Sequence, residues 1–198
     1  MPVSIQACYY KPRSYLMSKV LIPLAQGCEE LEAITAVDIL RRAGVDVMTA
    51  GLASGSVRCS RDTVLVPDVL LDEVLDQAFD MIVLPGGMPG AENLKNDPRI
   101  IALLKKMSAQ NQYVAAICAA PMALHAAGLL QGKNATSFPG VLDKLAGTHH
   151  YSTNAVVIDG KIITSRGPGT AMDFALVLVE LLCGKAKRDE VEAALQRP

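Results

Sequence analysis

Cys118 closes an apolar run, YVAAI, and Ala119-Ala120-Pro121 follows it at once. Proline at a first helical position opens a helix, so the sulfur is expected beside unpaired helix N-terminal amides. That setting favours a thiolate and a nucleophilic role. A lone cysteine in an apolar run is otherwise an inert core residue, and the strand-turn-helix context is what argues for reactivity here. Pro85-Gly86-Gly87, after a second buried strand, could bring backbone amides to that sulfur or to an oxyanion held there. Taken alone, those glycines read as a tight turn. Glu32 shares a helix face with Cys28 and Glu29, at i, i+3 and i+4 spacing. A solvated face is the simpler reading of that spacing. If Glu32 turns inward instead, a neighbouring thiolate would disfavour its charge, and a neutral acid could donate to sulfur.

The elements that must position these groups follow a βαβ rhythm. KVLIPLA reads as the first strand, and EELEAITAVDILRRAG as a helix carrying Leu31, Ile34, Val37, Ile39 and Leu40 at helical spacing, stopped by Gly44. VDVMTAGL is a second strand. A looser stretch from Ala53 to Asp76 precedes the strand DMIVLPGG, the helix PRIIALLKKMSAQ and the strand YVAAI. AVVIDGKIITS reads as a hairpin closed by Asp159-Gly160, and TAMDFALVLVELLCG as an apolar helix ended by Gly184. In an open α/β sheet, ligands bind beyond the carboxyl ends of the strands. Four such ends carry chemistry: AQGCEELE, LPGGMPG, AICAAP and TSRGPGT.

The 198 residues, 51% of them hydrophobic, suffice for one domain with a sizeable core. Nineteen basic and 20 acidic residues give a net charge of -1, with no broad electrostatic footprint for nucleic acid or an anionic membrane. Five scattered cysteines with no C-x-x-C pair fit a reduced cytosol and give no zinc-ligand spacing; no metal or other cofactor is expected. Residues 1–18 lack a secretory h-region and read as a disordered leader or a start-site artefact, with Met17 a candidate start, leaving residues 19–198 as a single domain. No apolar run is long enough to span a bilayer.

Six ordered segments, AxGxEExE, VDILRRAG, CSRD, VLPGGxxGA, AAICAAP and SRGPGT, together resemble the ThiJ/PfpI superfamily, over about Ser18 to Gly184. The resemblance is to the branch holding the parkinsonism-associated protein deglycase and bacterial YajL. It implies a flavodoxin-like, doubly wound, mostly parallel sheet with helices on both faces, assembled as a homodimer. It makes Cys118 the nucleophile and Glu32 the protonated acid bonded to it, with Gly86, Gly87 and Ala119 as backbone donors. It also implies an arginine from the partner subunit, a role that falls on Arg61, paired across the dimer with Glu29 and Asp38.

Two positions depart from relatives. Ala119 follows the cysteine where the peptidase-like branch has a catalytic histidine, which argues against proteolysis, and Phe138 stands where the animal branch has a pocket histidine. Nor do the histidines present offer a base. His125 lies seven residues beyond Cys118, about 10 Å along a helix, and His149 and His150 fall in a polar loop and read as solvated. Two functions are compatible with these residues. One is a glyoxalase or deglycase acting on methylglyoxal-like carbonyls or their early glycation adducts. The other is an oxidative-stress sensor or redox-regulated chaperone working through oxidation of Cys118.

Overall fold

The computed structural model describes residues 17–145, 147 and 149–197. The leader expected over residues 1–18 lies almost wholly outside them. In chain order the strands are β1 (Lys19–Leu24), β2 (Asp46–Gly51), β3 (Val57–Arg58), β4 (Val64–Leu65), β5 (Val69–Leu70), β6 (Met81–Leu84), β7 (Tyr113–Ile117), β8 (Asn134–Ala135), β9 (His150–Tyr151), β10 (Val156–Asp159) and β11 (Ile162–Ser165). The α-helices are α1 (Glu30–Arg42), α2 (Gly90–Asn96), α3 (Pro98–Ala109), α4 (Pro121–Ala126), α5 (Ala171–Cys183) and α6 (Lys185–Ala194).

Seven strands form one sheet in the order β10-β11-β7-β6-β1-β2-β5. All of its pairings are parallel except the β10–β11 hairpin, whose turn places Gly160 at φ 64°. The five long parallel strands have the flavodoxin-like arrangement, and the order reverses between β1 and β6. β1, β6 and β7 are apolar and almost wholly buried, as strands covered on both faces must be. α1 packs against α5, and α2 packs against α3 and α4. Right-handed crossovers put these two groups on opposite faces of the sheet.

α1 turns otherwise than its apolar spacing predicts. Leu31 and Ile34 are 50% and 46% exposed, and the buried face holds Glu32, Ala33, Ala36, Val37, Ile39 and Leu40. Small alanines let the helix lie close to its neighbours, and the face they define carries Glu32 inward. The stretch read as loose holds the β3–β4 hairpin and the edge strand β5. α2 opens on a glycine with no side-chain cap, so it sends no start signal. Its Gly90 is required by space, because a Cβ there would sit 2.6 Å from the Cys28 Cα.

Candidate active site

Three chain segments meet where the strand order reverses. Cys118 follows β7 directly, with φ 62°. The left-handed conformation is costly for a residue with a side chain. It is held here by the Cys118 N–H donating to Ser165 O at 2.9 Å and by the Cys118 carbonyl accepting from Phe138 N at 2.8 Å. This turn leaves the sulfur within reach of the Gly87 and Ala119 amides. The residue retains 9% exposure.

Glu32 arrives from the first turn of α1 and is 2% exposed. Its Oε2 accepts the Gly86 N–H at 2.8 Å, whereas Oε1 is buried without a hydrogen-bond partner. The inward orientation, the less simple reading of the sequence, is the one found. Gly86 is the wedge between the two functional groups: a Cβ there would lie 2.6 Å from the Cys118 Cβ and 2.8 Å from Glu32 Oε2. No side chain fits in that space. Its amide is engaged by the carboxyl, so of the three expected donors only those of Gly87 and Ala119 serve the sulfur, where both favour the thiolate.

The electrostatics run against the expected thiolate, favoured by helix amides and a neutral Glu32. Burial pushes the Cys118 thiol up to about 12, the Glu32 charge adds to this, and the Gly87 and Ala119 amides only partly oppose it. Burial likewise holds the Glu32 carboxyl up at about 7, against the Gly86 amide and the Cys118 thiol, which favour its charge. The two groups therefore titrate as a pair, which releases one proton near 7 and retains the other to about 12.

A cavity of about 620 Å³ opens in front of the sulfur. Its walls are mainly apolar, among them Met88, Met122, Phe138 and Val141, with Arg61, Lys95, Lys144 and His125 as cationic or polar additions. Arg61 and Glu29 of this chain line the cavity. The β3–β4 turn carries Arg61, and Ser60 Oγ donates to Glu29 Oε2 at 2.6 Å. Asp38 is not among the residues of this chain that line the cavity. It lies a full two turns into α1 and accepts from Arg42 Nε at 2.7 Å on an exposed face.

Ser60, Lys95 and Lys144 were not singled out from the sequence, because surface polar residues reveal their cavity only once the fold is closed. The histidines also move from expectation. His125 lines the cavity, and its ring meets that of His149 edge-on with centroids 5.6 Å apart. His149 Nε2 pairs with Leu142 O at 3.0 Å and its Nδ1 is buried without a partner, so it is not a solvated loop residue, whereas His150 is exposed. The SRGPGT segment closes the site's edge. Ser165 and Thr170 hydroxyls bond at 2.7 Å, and a Cβ on Gly167 would come within 3.9 Å of the Cys118 sulfur.

Comparison with protein families matches residues 18–181 to the DJ-1/PfpI family. Protein DJ-1 homolog A of Arabidopsis thaliana is 46% identical over 179 residues, which cover 89% of this chain and 46% of that protein. The chain thus spans about half the length of that relative. Glutathione-independent glyoxalase DJR-1.2 of Caenorhabditis elegans is 39% identical over 173 residues, covering 87% of this chain and 91% of the relative. Among solved structures, Drosophila melanogaster DJ-1beta superposes with a TM-score of 0.89 at 42% identity, covering 92% of this chain and all of its own. Oxidized Toxoplasma gondii DJ-1 gives 0.85 at 39% identity, covering 90% and 97%. No helix among the described residues is long and apolar enough to cross a membrane.

Proposed function

The chain belongs to the DJ-1/PfpI family, and from that premise we propose that it is a cysteine-dependent glyoxalase of the deglycase type. Its substrates are methylglyoxal-like carbonyls, free or as early glycation adducts, and its products are lactate-type acids. The observation that carries this reading is the Cys118–Glu32 pair, a buried carboxyl held up at about 7 beside a cysteine of positive φ that lines an apolar cavity. The glyoxalase named among its relatives supports it.

The sulfur adds to the aldehyde carbon, and the Glu32 proton passes to the new alkoxide, giving a hemithioacetal. The carboxylate so formed takes the hydrogen from that carbon and returns it to the adjacent one, while the hydroxyl proton of the first carbon passes to the oxygen of the second, which leaves a thioester beside a new hydroxyl. Water then cleaves the C–S bond, releasing the hydroxy acid and restoring the thiol. Glu32 Oε1, which has no donor of its own, is the natural seat of the moving proton. The Gly87 and Ala119 amides face the charge that develops beside sulfur. We place the protein in the cytosol, where its free thiols stay reduced, and as a homodimer. Incubation with methylglyoxal while lactate is followed directly tests the reading. Wild type is expected to form lactate, and Cys118→Ala and Glu32→Gln to lose that product by at least about 100-fold; Gln turning over at the wild-type rate removes the acid-base role.

A second reading has its own support. Two amides directed at the Cys118 sulfur could hold a sulfinate, and a relative is known in oxidized form. Oxidation sensing through Cys118, with or without chaperone activity, would leave lactate formation absent in wild type while peroxide converts Cys118 to the sulfinate.

A further inference from the structure

Cys28 and Cys59 have no place in the chemistry above. Their sulfurs lie 3.5 Å apart across 31 residues of chain, with 0% and 4% of each residue exposed. The backbones on either side are locked together. Gly27 N–H donates to Arg58 O at 2.8 Å, and Ser60 N–H donates to Cys28 O at 2.8 Å. Segments joined by such a ladder run about 5 Å apart, inside the window of roughly 4.4–6.8 Å between Cα atoms that a disulfide requires. Neither segment is free to retreat. Gly90 packs against the Cys28 main chain so closely that a Cβ would lie 2.5 Å from its nitrogen. Cys59 is fixed in a tight turn, its N–H donating to Thr63 O at 2.8 Å and its carbonyl accepting from Asp62 N at 3.2 Å. Bringing the sulfurs to bonding distance, about 2.05 Å, therefore requires side-chain rotation and not movement of the loops.

We propose that Cys28 and Cys59 form a reversible disulfide under hydrogen peroxide, a redox site distinct from Cys118. Cys59 reacts first, since it retains some exposure and its neighbour Ser60 borders the cavity. Its thiol takes one oxygen from peroxide and becomes a sulfenic acid, releasing one water. Cys28 sulfur then attacks that sulfur; the S–S bond forms, the S–O bond breaks, and the hydroxyl departs with the Cys28 proton as a second water. Two thiols and one peroxide give one disulfide and two waters. The bond would tie the β3–β4 turn, which carries Ser60 and Arg61, to the loop that carries Glu29, fixing one wall of the cavity. Unlike a sulfinate on Cys118, it is undone by thiols.

Wild-type protein and Cys118→Ala are treated with peroxide, quenched into guanidinium with N-ethylmaleimide, and digested without reductant for mass spectrometry. The expected result in both proteins is a cross-linked peptide pairing Cys28 with Cys59, two hydrogens lighter than its reduced parts. Maleimide labelling is lost at both residues and regained after dithiothreitol. Three results would overturn the proposal: both cysteines still labelled once Cys118 in wild type has become sulfinate, Cys59 paired with Cys118, or Cys59 carried on to sulfinic acid. Because the Cys118→Ala arm lacks the catalytic thiol, its outcome is independent of whether the glyoxalase reading stands.

Discussion

The Glu32 carboxyl couples the site to the stability of the whole chain. Its ordinary value is 4.5 and the fold holds it at about 7. Between those values the native state binds the proton that the unfolded chain has released, so stability falls as pH rises through this window and then levels. Cys118, raised from 9.0 to about 12, adds a second loss of the same sign at high pH. Glu32→Gln, which matches the neutral acid in shape, is expected to equal wild type near pH 4. Above pH 7 it should be more stable, by on the order of 3 kcal/mol. Denaturant titrations of both proteins across that range check this, and parallel pH profiles would sink it. Lactate formation in wild type should rise through a midpoint near 7, as the pair releases its first proton. At Gly86 the expectation comes from space alone. Alanine there meets the Cys118 Cβ and Glu32 Oε2, so Gly86→Ala should abolish turnover and lower the melting temperature, whereas a variant with wild-type melting and activity would show the wedge to be dispensable. Cys118 was legible in the sequence because strand, cysteine and helix-opening proline are contiguous. The inward turn of Glu32 was not, because the alanines that define the buried face of α1 carry a weak hydropathy signal and the exposed Leu31 and Ile34 a strong one.

At the scale of elements, the sheet was readable wherever a strand is apolar throughout and bounded by glycine, as in β1, β6 and β7. What escaped was built from short or charged pieces. α6 offers Val191 as its one buried residue, and β3, β4 and β5 are two residues each, too short for any period to show. The start of α3 illustrates the opposite case, in which signal and structure coincide. Asp97 caps the helix by accepting Arg99 N–H at 2.9 Å, Pro98 takes the first position, and the Arg99 guanidinium reaches Asp97, Asp72 and the Leu52 carbonyl. Hydrogen bonds from Arg99 hold the Asp97 carboxyl below its ordinary range, so its contribution is present above pH 4 and is lost as the solution becomes more acidic. Asp97→Ala should cost about 1–2 kcal/mol at neutral pH and less near pH 3, in equilibrium unfolding. A constant difference across that range would mean that packing, not the cap, is what was lost.

For the whole molecule, Leu31 and Ile34 present apolar area on the outer side of α1, a surface suited to the second copy that the family resemblance implies. Sedimentation at micromolar concentration should give twice the chain mass. Leu31→Glu with Ile34→Glu should give a single chain that keeps its sheet, and an unchanged sedimentation coefficient would place the interface elsewhere. The reversal of strand order between β1 and β6 has a further consequence, for how the molecule comes into being. Glu32, Gly86 and Cys118 lie on three separate crossovers, and the carbonyl that steadies the nucleophile belongs to Ser165, in the last parallel strand. In a nascent chain Glu32 and Gly87 leave the ribosome ahead of Cys118, whereas Ser165, whose carbonyl holds the cysteine backbone, follows well after it. Until β11 docks beside β7, that sulfur is an ordinary thiol on an unfinished sheet, and the reactive pair comes into existence only with the finished fold.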